Sequence, residues 1–282
     1  MHPPGSNTAD PCSTQPPARL AVTDLSATYV EDGTVLQALV AISFDVADGE
    51  FVALIGPSGS GKSTLLDIIS GLFPQSDGEV RLGGVSFATG DRLGRSAYMR
   101  QRDLLLPWRT ALENAALALE VHGVPKRSAR RIAAGRFPEF GLGGFENAYP
   151  TQLSGGMRQR VAFLRSVLAD RPLLLLDEPF GALDALNRVA LQTWLLDLWE
   201  RQRQAVLLVT HDVDEAIFLA DRVIVLSARP GSIVHTETIR LPRPRVRSMV
   251  TSDAFLDHRT NLLDALGLLR EQTLVAVGDD RP

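Results

Sequence analysis

A glycine-rich segment in the first quarter of the chain has the residue types and the spacing of a phosphate-binding loop. Its residues are Gly56, Pro57, Ser58, Gly59, Ser60, Gly61, Lys62, Ser63 and Thr64. Glycines let the backbone turn so that successive N–H groups and the start of a following helix converge on phosphate oxygens. Lys62 would neutralise the β- and γ-phosphates of a nucleotide, and the Ser63 hydroxyl would reach Mg²⁺. The alternative, a simple Gly/Ser turn, leaves unexplained why one of only two lysines stands here.

Two adjacent carboxylates follow a later apolar run, residues 173–176. Ligands of open α/β sheets bind at the carboxyl ends of the strands, and Asp177 and Glu178 would lie there. Asp177 can bind Mg²⁺, directly or through water, and Glu178 can orient and polarise a water that attacks a phosphate. The pair therefore predicts phosphate hydrolysis; a solvated strand end is the alternative.

Ser154, Gly155 and Gly156 form a third candidate site. They precede a helical pattern over about residues 157–168. The first N–H groups of a helix and its positive dipole end favour an anion, so the segment predicts a second contact to a γ-phosphate. The alternative is an ordinary serine N-cap with a glycine turn.

Strands and helices must alternate to position these segments. Four apolar runs are interpreted as buried strands: residues 51–55, 173–176, 205–210 and 222–226. Helical patterns at about 62–72 and 183–203 separate them, and this order predicts a parallel sheet. Alternation of apolar and polar residues at 20–29 and 42–46 predicts an antiparallel sheet before it. Between the loop and the carboxylates, residues 103–168 favour an inserted helical subdomain.

The composition limits the classes of partner. A net charge of −4 over 282 residues provides no basic field, so we expect no nucleic-acid partner. No apolar run approaches the roughly 20 residues that span a bilayer, so a channel has to come from another chain. Cys12 is the only cysteine, which excludes a thiolate metal site and fits a reducing compartment. Residues 1–18 are rich in Pro, Ser and Thr, and we expect a disordered cytoplasmic tail.

The segment Leu153-Ser154-Gly155-Gly156-Met157-Arg158-Gln159-Arg160 resembles the signature motif of the ABC ATPases. Together with the phosphate loop and the double carboxylate, the resemblance covers about residues 20–228. It implies an α/β P-loop NTPase with a parallel core sheet, an antiparallel N-terminal sheet and an inserted helical subdomain. It also implies that the signature acts in trans, so that two ATP molecules are enclosed between the two copies of a homodimer.

Four further positions match motifs of that family. Gln101 resembles the Q-loop glutamine, which contacts Mg²⁺ and the attacking water. Gly181-Ala182-Leu183-Asp184 resembles the D-loop, which couples the two sites of the dimer, and His211 resembles the switch histidine that contacts the γ-phosphate. Tyr29 resembles the aromatic residue that stacks on adenine. Simpler interpretations are a surface glutamine, a helix N-cap at the end of the D-loop segment, and a tyrosine that only packs in its strand.

Some details resemble the nitrate/sulfonate/taurine importers within the family. They are Leu105-Leu106-Pro107-Trp108, Tyr149-Pro150, Ala228-Arg229-Pro230-Gly231 and Leu241-Pro242-Arg243-Pro244-Arg245. The resemblance implies that ATP hydrolysis drives uptake of a small anion or organic solute, such as nitrate, a sulfonate, taurine or a pyrimidine vitamin precursor. The partners would be an integral membrane permease and, indirectly, a solute-binding protein. The chain would lie peripherally on the cytoplasmic face of the inner membrane.

Other classes fit the residues less well. An exporter subunit would share every catalytic residue and stays the main alternative. Soluble ABC proteins of translation or DNA repair usually carry two P-loops or zinc cysteines. A GTPase would need an Asn/Thr-Lys-x-Asp segment, and neither Lys62 nor Lys126 fits it. Two positions depart from the family pattern. Met157 replaces the usual glutamine of the signature, which is frequent in this importer group and should leave ATP binding intact. Arg100 replaces the usual aromatic residue or proline before Gln101, which concerns the tuning of coupling to the permease and not the chemistry.

The remaining segments give expectations about domains and surfaces. We expect the ABC domain at 19–250 and a C-terminal helical extension at 251–282. Residues 104–108 should lie in the core of the helical subdomain, in the groove that receives the permease, or in both. A basic run is expected to form a solvated, proline-stiffened linker, with contact to lipid headgroups or the permease as the alternative. Its members are Arg240, Arg243, Arg245 and Arg247.

Overall fold

A computed structural model describes residues 18–31, 34–181 and 183–268. They form a four-stranded antiparallel sheet, a six-stranded mainly parallel sheet and α-helices packed against them. This confirms the predicted fold class. Three predicted features lie outside the described residues: most of the N-terminal tail, residues 1–17; Ala182 of the D-loop segment; and the end of the C-terminal extension, residues 269–282.

Strands and helices alternate along most of the chain. In chain order they are β1 (Leu20–Glu31), β2 (Thr34–Val46), β3 (Phe51–Ile55), α1 (Lys62–Ser70), β4 (Asp77–Leu82), β5 (Val85–Ser86), β6 (Ala97–Met99), α2 (Ala111–Val121), α3 (Lys126–Arg136), α4 (Gly155–Val167), β7 (Leu173–Asp177), α5 (Ala185–Gln202), β8 (Ala205–Val209), α6 (Val213–Leu219), β9 (Arg222–Leu226), β10 (Ile233–Thr238) and α7 (Asp253–Ala265). Short 3₁₀ turns occur at 90–92, 138–140, 150–152 and 247–251.

The antiparallel sheet has the strand order β2-β1-β4-β5. Its apolar face shares one hydrophobic core with helix α1, in which Leu25 and Leu39 of the sheet meet Leu65 and Ile69 of the helix. Strand β2 begins eight residues before the predicted start at residue 42, because its first four residues are exposed and give no alternation to read. The sheet thus fixes the helix that follows the phosphate loop.

The second sheet has the order β10-β9-β3-β8-β7-β6. Its pairs are parallel except β9 with β10, which is antiparallel. Strands β3, β7 and β8 are buried along their whole length, which is why they read as continuous apolar runs. Because they run parallel side by side, their carboxyl ends lie at one edge of the sheet. The three segments that follow them, which carry predicted site residues, therefore meet there.

Helices α2, α3 and α4 form the predicted insertion between β6 and β7. Thr110 caps α2 in a capping box with Glu113. The apolar segment 104–108 precedes this helix, and its residues differ in burial. Leu105 is 9% exposed and packs in the core, whereas Leu104 and Trp108 are 55% and 71% exposed. Leu105 therefore lies in the core, as one interpretation predicts, and the groove that receives the permease stays a prediction.

Arginines expected in a solvated linker are instead packed against the end of helix α6, so that prediction is wrong. Arg245 is only 4% exposed. Its Nη1 donates to the carbonyl oxygens of Ile217 at 2.8 Å, Phe218 at 3.2 Å and Ala220 at 2.7 Å. The last carbonyls of a helix have no partner within the helix, so a guanidinium with several donors satisfies them. The apolar helix end thereby becomes a binding site for an arginine of the same chain.

Neighbours of Arg245 complete this contact. Arg243 donates to the Asp221 carboxylate at 2.7 Å, and the Arg247 guanidinium lies 4.2 Å from the centre of the Phe218 ring. Arg240 alone of the four is exposed, as the sequence predicts. The segment is therefore part of the folded domain rather than a linker.

Helix α7, the described part of the predicted extension, packs on the same domain. Ser252 caps it, and its side chains Phe255 and Leu262 are fully buried in the core that includes the parallel sheet. His258 Nδ1 lies 2.6 Å from Glu237 on β10, which attaches the helix to the edge of that sheet.

We predict that Arg245→Met lowers the free energy of unfolding by about 2–4 kcal/mol, because three buried carbonyls lose their donor. Methionine retains much of the apolar stem, so the effect isolates the hydrogen bonds. Urea unfolding followed by circular dichroism measures it. The matched control is Arg240→Met on the exposed neighbour, which should change stability by less than about 0.5 kcal/mol. Equal urea midpoints for the two variants would contradict the role of Arg245.

Candidate active site

A cavity of about 460 Å³ lies where strands β3, β7 and β8 end. Its lining residues are Gly56, Ser58, Gly59, Ser60, Gly61, Lys62, Ser63, Thr64, Gln101, Glu178, His211 and Arg229. All but one of them are predicted site residues. The structure therefore brings the phosphate loop and the three predicted catalytic residues into one space.

The phosphate loop folds tightly around its lysine. Lys62 is 7% exposed, and its Nζ donates to Gly56 O and Pro57 O at 2.8 Å and to Ser60 Oγ at 3.1 Å. Burial lowers the pKa of the Lys62 ammonium, and the nearby Glu178 carboxylate opposes this shift. Among the described residues, the hydrogen-bond partners of the ammonium are thus all neutral oxygens of its own loop. A phosphate would offer the compensating negative charge.

Helix α1 opens directly into this loop. Its N-cap is Gly61, which has φ 90° and supplies no capping side chain, and the first turn holds no acidic residue. A Cβ on Gly61 would stand 2.6 Å from Leu39 Cδ2, so only glycine fits between the loop and the antiparallel sheet. An uncapped helix start beside a buried lysine suits an anion. The site therefore fits the phosphates of a nucleotide.

Gln101, Glu178 and His211 meet at one carboxylate oxygen. Gln101 Nε2 donates to Glu178 Oε2 at 3.0 Å, and His211 Nδ1 lies 3.5 Å from the same oxygen. Glu178 is 22% exposed, so water reaches the carboxylate, and the His211 side chain is 64% exposed. An amide donor thus holds the carboxylate at the mouth of the phosphate cavity, and an imidazole lies beside it. This arrangement can orient a water molecule.

The backbone of Glu178 is held in an unusual conformation. Its φ is 47°, a left-handed value that non-glycine residues rarely adopt, and its N–H donates to Val209 O of β8 at 2.9 Å. Such conformations persist where the surrounding structure fixes them, and they are concentrated at functional sites. Here the turn directs the carboxylate away from β7 and toward the cavity.

His211 stands in a turn that β8 and α6 fix on both sides. Thr210 N–H donates to Leu54 O at 3.2 Å, and Asp212 caps α6 by accepting from Glu215 N–H at 3.1 Å. Burial raises the pKa of Glu215 to about 8, so this side chain is largely protonated at neutral pH. The imidazole itself is exposed on a well-anchored loop, where it can contact a ligand.

The three predicted metal ligands share a second, adjoining cavity of about 370 Å³, lined in part by Ser63, Gln101 and Asp177. Asp177 is 4% exposed and hydrogen-bonded to Ser63, and burial raises the pKa of its carboxyl. A hydroxyl, an amide oxygen and a carboxylate are hard oxygen ligands, and Mg²⁺ commonly takes one or two such groups together with waters and substrate phosphates. The residues present therefore fit Mg²⁺. This set contains a single carboxylate, so it differs from a site built by the protein alone. Within the described ranges, no cluster of three or more His, Cys, Asp or Glu side chains forms such a site.

The predicted trans-acting residues lie at the starts of two other helices, α4 and α5. Ser154 is exposed and caps α4, where its Oγ accepts from Met157 N–H at 3.2 Å, and Gly155 begins the helix with Gly156 behind it. Asp184 caps α5 in the same way, by accepting from Asn187 N–H at 3.0 Å. Among the described residues that line the phosphate cavity, none comes from these two segments. Their contact with a nucleotide stays a prediction.

Tyr29 is one hydrogen bond away from the phosphate loop. Its hydroxyl donates to Thr64 Oγ1 at 2.9 Å, while its ring stands 4.5 Å from the Phe73 ring at an interplanar angle of 30°. The ring is partly buried, so it packs within the N-terminal sheet as well as facing the loop region. Its contact with adenine stays a prediction.

Two arginines near the site received no chemical role from the sequence. Arg100, which departs from the family pattern, pairs with Asp67 of α1 at 2.8 Å and so attaches the start of the Q-loop to the helix of the phosphate loop. Arg229 lines the phosphate cavity. In the sequence it is only one residue of the segment 228–231, which resembles the nitrate/sulfonate/taurine importers. A cation followed by Pro-Gly after a buried strand was the one signal available, and nothing in the spacing connects it to residue 59.

No helix among the described residues is both long and apolar enough to cross a membrane.

Comparison with known proteins identifies relatives over most of the chain. Residues 39–181 match the family model described as ABC transporter. An uncharacterised ABC transporter ATP-binding protein of Methanocaldococcus jannaschii is 45% identical over 88% of this chain and 91% of its own length. An aliphatic sulfonates import ATP-binding protein of a Mycobacterium species is 48% identical, covering 87% of this chain and 92% of the relative. A formylaminopyrimidine import ATP-binding protein of Halalkalibacterium halodurans is 42% identical over 90% and 98%.

Solved structures agree with the sequence relatives. A dimeric, post-hydrolysis ATP-binding cassette bound to ADP and Pi matches with a TM-score of 0.72 and 31% identity, over 79% of this chain and all of that one. A dimeric bacterial ABC transporter cassette matches with a TM-score of 0.73 and 32% identity. The shared fold, the phosphate cavity and the extent of the relatives lead to one conclusion: the chain belongs to the ABC transporter family, as one of its ATP-hydrolysing cassettes.

Proposed function

We propose that this chain is the ATPase subunit of an importer that takes up a small anion or organic solute through a separate permease. The observation that carries the proposal is the meeting of Gln101, Glu178 and His211 at the mouth of the phosphate cavity. The relatives named above support the direction of transport, because two of them are named as import proteins, one for aliphatic sulfonates and one for formylaminopyrimidine.

In the proposed reaction, the ATP phosphates lie in the loop around Lys62. Glu178 Oε2 accepts a hydrogen bond, and then the proton, from a water whose oxygen attacks the γ-phosphorus. The bond from the γ-phosphorus to the β–γ bridging oxygen breaks, and the products are ADP and inorganic phosphate. Gln101 Nε2 holds the carboxylate in place, and His211 contacts the departing phosphoryl group. Mg²⁺, held by Ser63 and Asp177 with Gln101 beside them, would neutralise phosphate charge during this step. Positioning and charge stabilisation supply most of the catalysis in such reactions.

The proposed active state contains two copies of the chain. Ser154 and Gly155 are exposed at the start of α4 and, like Gly156, do not line the phosphate cavity of their own copy, which supports placing them opposite the γ-phosphate of a second copy. Asp184, exposed at the start of α5, would lie at the same interface. Tyr29 would contact the adenine ring. Closure of the pair on ATP and reopening after hydrolysis would then provide the motion that a permease uses.

The proposed partners follow from this motion. A separate permease would dock on the apolar residues Leu104 and Trp108, which the described part of the chain leaves exposed. The pair of subunits would sit peripherally on the cytoplasmic face of the inner membrane. A solute-binding protein on the other side would deliver the solute, which we expect to be nitrate, a sulfonate, taurine or a pyrimidine vitamin precursor.

Purification of the tagged full-length chain from native membranes tests this function. We expect a multi-span permease and an exported solute-binding protein to copurify, and the ligand of the latter then names the solute. A chain with Leu104→Asp and Trp108→Asp should keep its fold and lose the permease, which provides the matched control. A permease without any solute-binding protein would favour export, and recovery of soluble partners alone would contradict transport.

A further inference from the structure

We propose that Arg229 is a nucleotide-binding residue, a second cation beside Lys62 that contacts a phosphate oxygen of bound ATP. The proposal rests on the proposed function, since it assigns a further ligand to the same cavity. No predicted motif assigns Arg229 this role. The position of Arg229, the rigidity of its turn and its unpaired charge among the described residues support the inference.

Arg229 is positioned at the phosphate loop. Arg229 lies in the turn between β9 and β10 and lines the phosphate cavity together with Ser58 and Gly59. Its Nε donates to Gly59 O at 3.3 Å, and its Nη2 lies 3.7 Å from the point where a Cβ on Gly59 would stand. The guanidinium therefore lies beside Gly59 of the phosphate loop, at the edge of the cavity. Its terminal nitrogens are beside the backbone that would hold the phosphates.

The turn that carries Arg229 is held rigidly against strand β2 and the phosphate loop. Gly231 N–H donates to Ala38 O at 2.8 Å and Gly231 O accepts from Val40 N–H at 2.9 Å, so the turn is attached to strand β2. A Cβ on Gly231 would overlap Ser60 O, so this backbone rests directly on the phosphate loop. Packing thus fixes the base of Arg229 relative to the loop, and the entropy lost on binding a ligand is correspondingly smaller.

The positive charge of Arg229 is not paired with a carboxylate among the described residues. Other arginines of this region have carboxylate partners; Arg222, for example, pairs with Glu50 at 2.9 Å. Within the described ranges, Arg229 has no carboxylate at ion-pair distance, and its only hydrogen bond uses Nε. Four N–H donors on Nη1 and Nη2 thus stay available to an anion. A guanidinium matches a phosphate with two parallel hydrogen bonds, and this cavity otherwise offers Lys62 against the charge of Glu178.

Equilibrium binding of the β,γ-imido analogue of ATP tests the proposal, with Mg²⁺ present and the full-length chain dilute enough to stay monomeric. We expect Arg229→Ala to raise the Kd about 10-fold, as loss of one charge-assisted contact would, and Arg229→Lys to raise it less. The matched control is Arg240→Ala, an exposed arginine of the same charge, which should stay within about 2-fold of wild type because only long-range charge changes.

The remaining outcomes each decide the matter. An unchanged Kd for Arg229→Ala overturns the proposal. An unchanged Kd together with loss of ATP-dependent dimerisation also overturns it, and it would assign the guanidinium to a carboxylate of the second copy instead. Wild type and Lys62→Met separate this proposal from the proposed function. If wild type binds the analogue and Lys62→Met raises its Kd about 100-fold, the nucleotide site is upheld whatever Arg229 does. Absence of binding by wild type would refute both proposals.

Discussion

Replacing Glu178 with glutamine should lower the kcat of ATP hydrolysis by at least about 100-fold, while ATP still binds. Glutamine keeps the size and shape of the side chain, so the unusual backbone at φ 47° and the neighbours of the side chain are preserved. What is lost is the negative oxygen at which Gln101 and His211 meet. An amide cannot accept a proton from the attacking water as a carboxylate does. Phosphate release under saturating ATP measures the effect.

The same variant should accumulate as an ATP-bound dimer, because hydrolysis is the step that would reopen it. Size-exclusion chromatography with light scattering, with and without ATP, detects this state. Glu139→Gln is the matched control, since Glu139 is exposed and pairs only with Arg136 in its own subdomain. Rapid hydrolysis by Glu178→Gln would transfer the role of orienting water to another residue.

Removal of the Lys62 ammonium should raise the Kd for ATP by about 100-fold, corresponding to loss of a buried charge that faces phosphate. In the folded chain Lys62 is 7% exposed, and the hydrogen-bond partners of its ammonium among the described residues are oxygens of the phosphate loop. It is therefore held, largely desolvated, where the phosphates would bind, and its interaction with them is weakly screened. Lys62→Met keeps most of the apolar stem and removes the charge. Isothermal titration with ATP measures the Kd.

The chain provides its own control for this experiment. Lys126 is the only other lysine, and it is exposed at the start of α3, in the helical insertion. Lys126→Met should bind ATP like wild type. Circular dichroism must show that Lys62→Met is folded, because Gly56 O and Pro57 O lose a donor. A folded Lys62→Met chain with normal affinity would contradict the assignment of the phosphate site.

The central strands and the helix after the phosphate loop could be predicted from local sequence. Strands β3, β7 and β8 are fully buried, so their apolar runs mark them without reference to the rest of the chain. Helix α1 ends at Ser70 rather than at the predicted residue 72, because Gly71 adopts φ 87° and closes the helix. Local patterns therefore decide which elements exist, and the caps decide their ends.

Elements at the edges of the sheets could not be predicted in the same way. Half of the positions in β10 are exposed and the others only partly buried, so no buried face was visible. Arg245 shows the same limit for a side chain. An arginine in a Pro-rich segment is usually solvated, and only the nearby end of α6, with its unpaired carbonyls, makes burial favourable.

Sequence alone determined the chemistry of this protein, because the phosphate loop and the Asp177-Glu178 pair are contiguous segments whose function depends on local spacing. The tertiary structure decided which distant residues join them. Gln101 and Glu178 are separated by 77 positions along the chain and yet share a hydrogen bond of 3.0 Å, and Arg229 reaches Gly59 across 170 positions. Such contacts depend on parallel strands ending at one edge of a sheet and on a turn packed against the loop, and a linear pattern encodes neither.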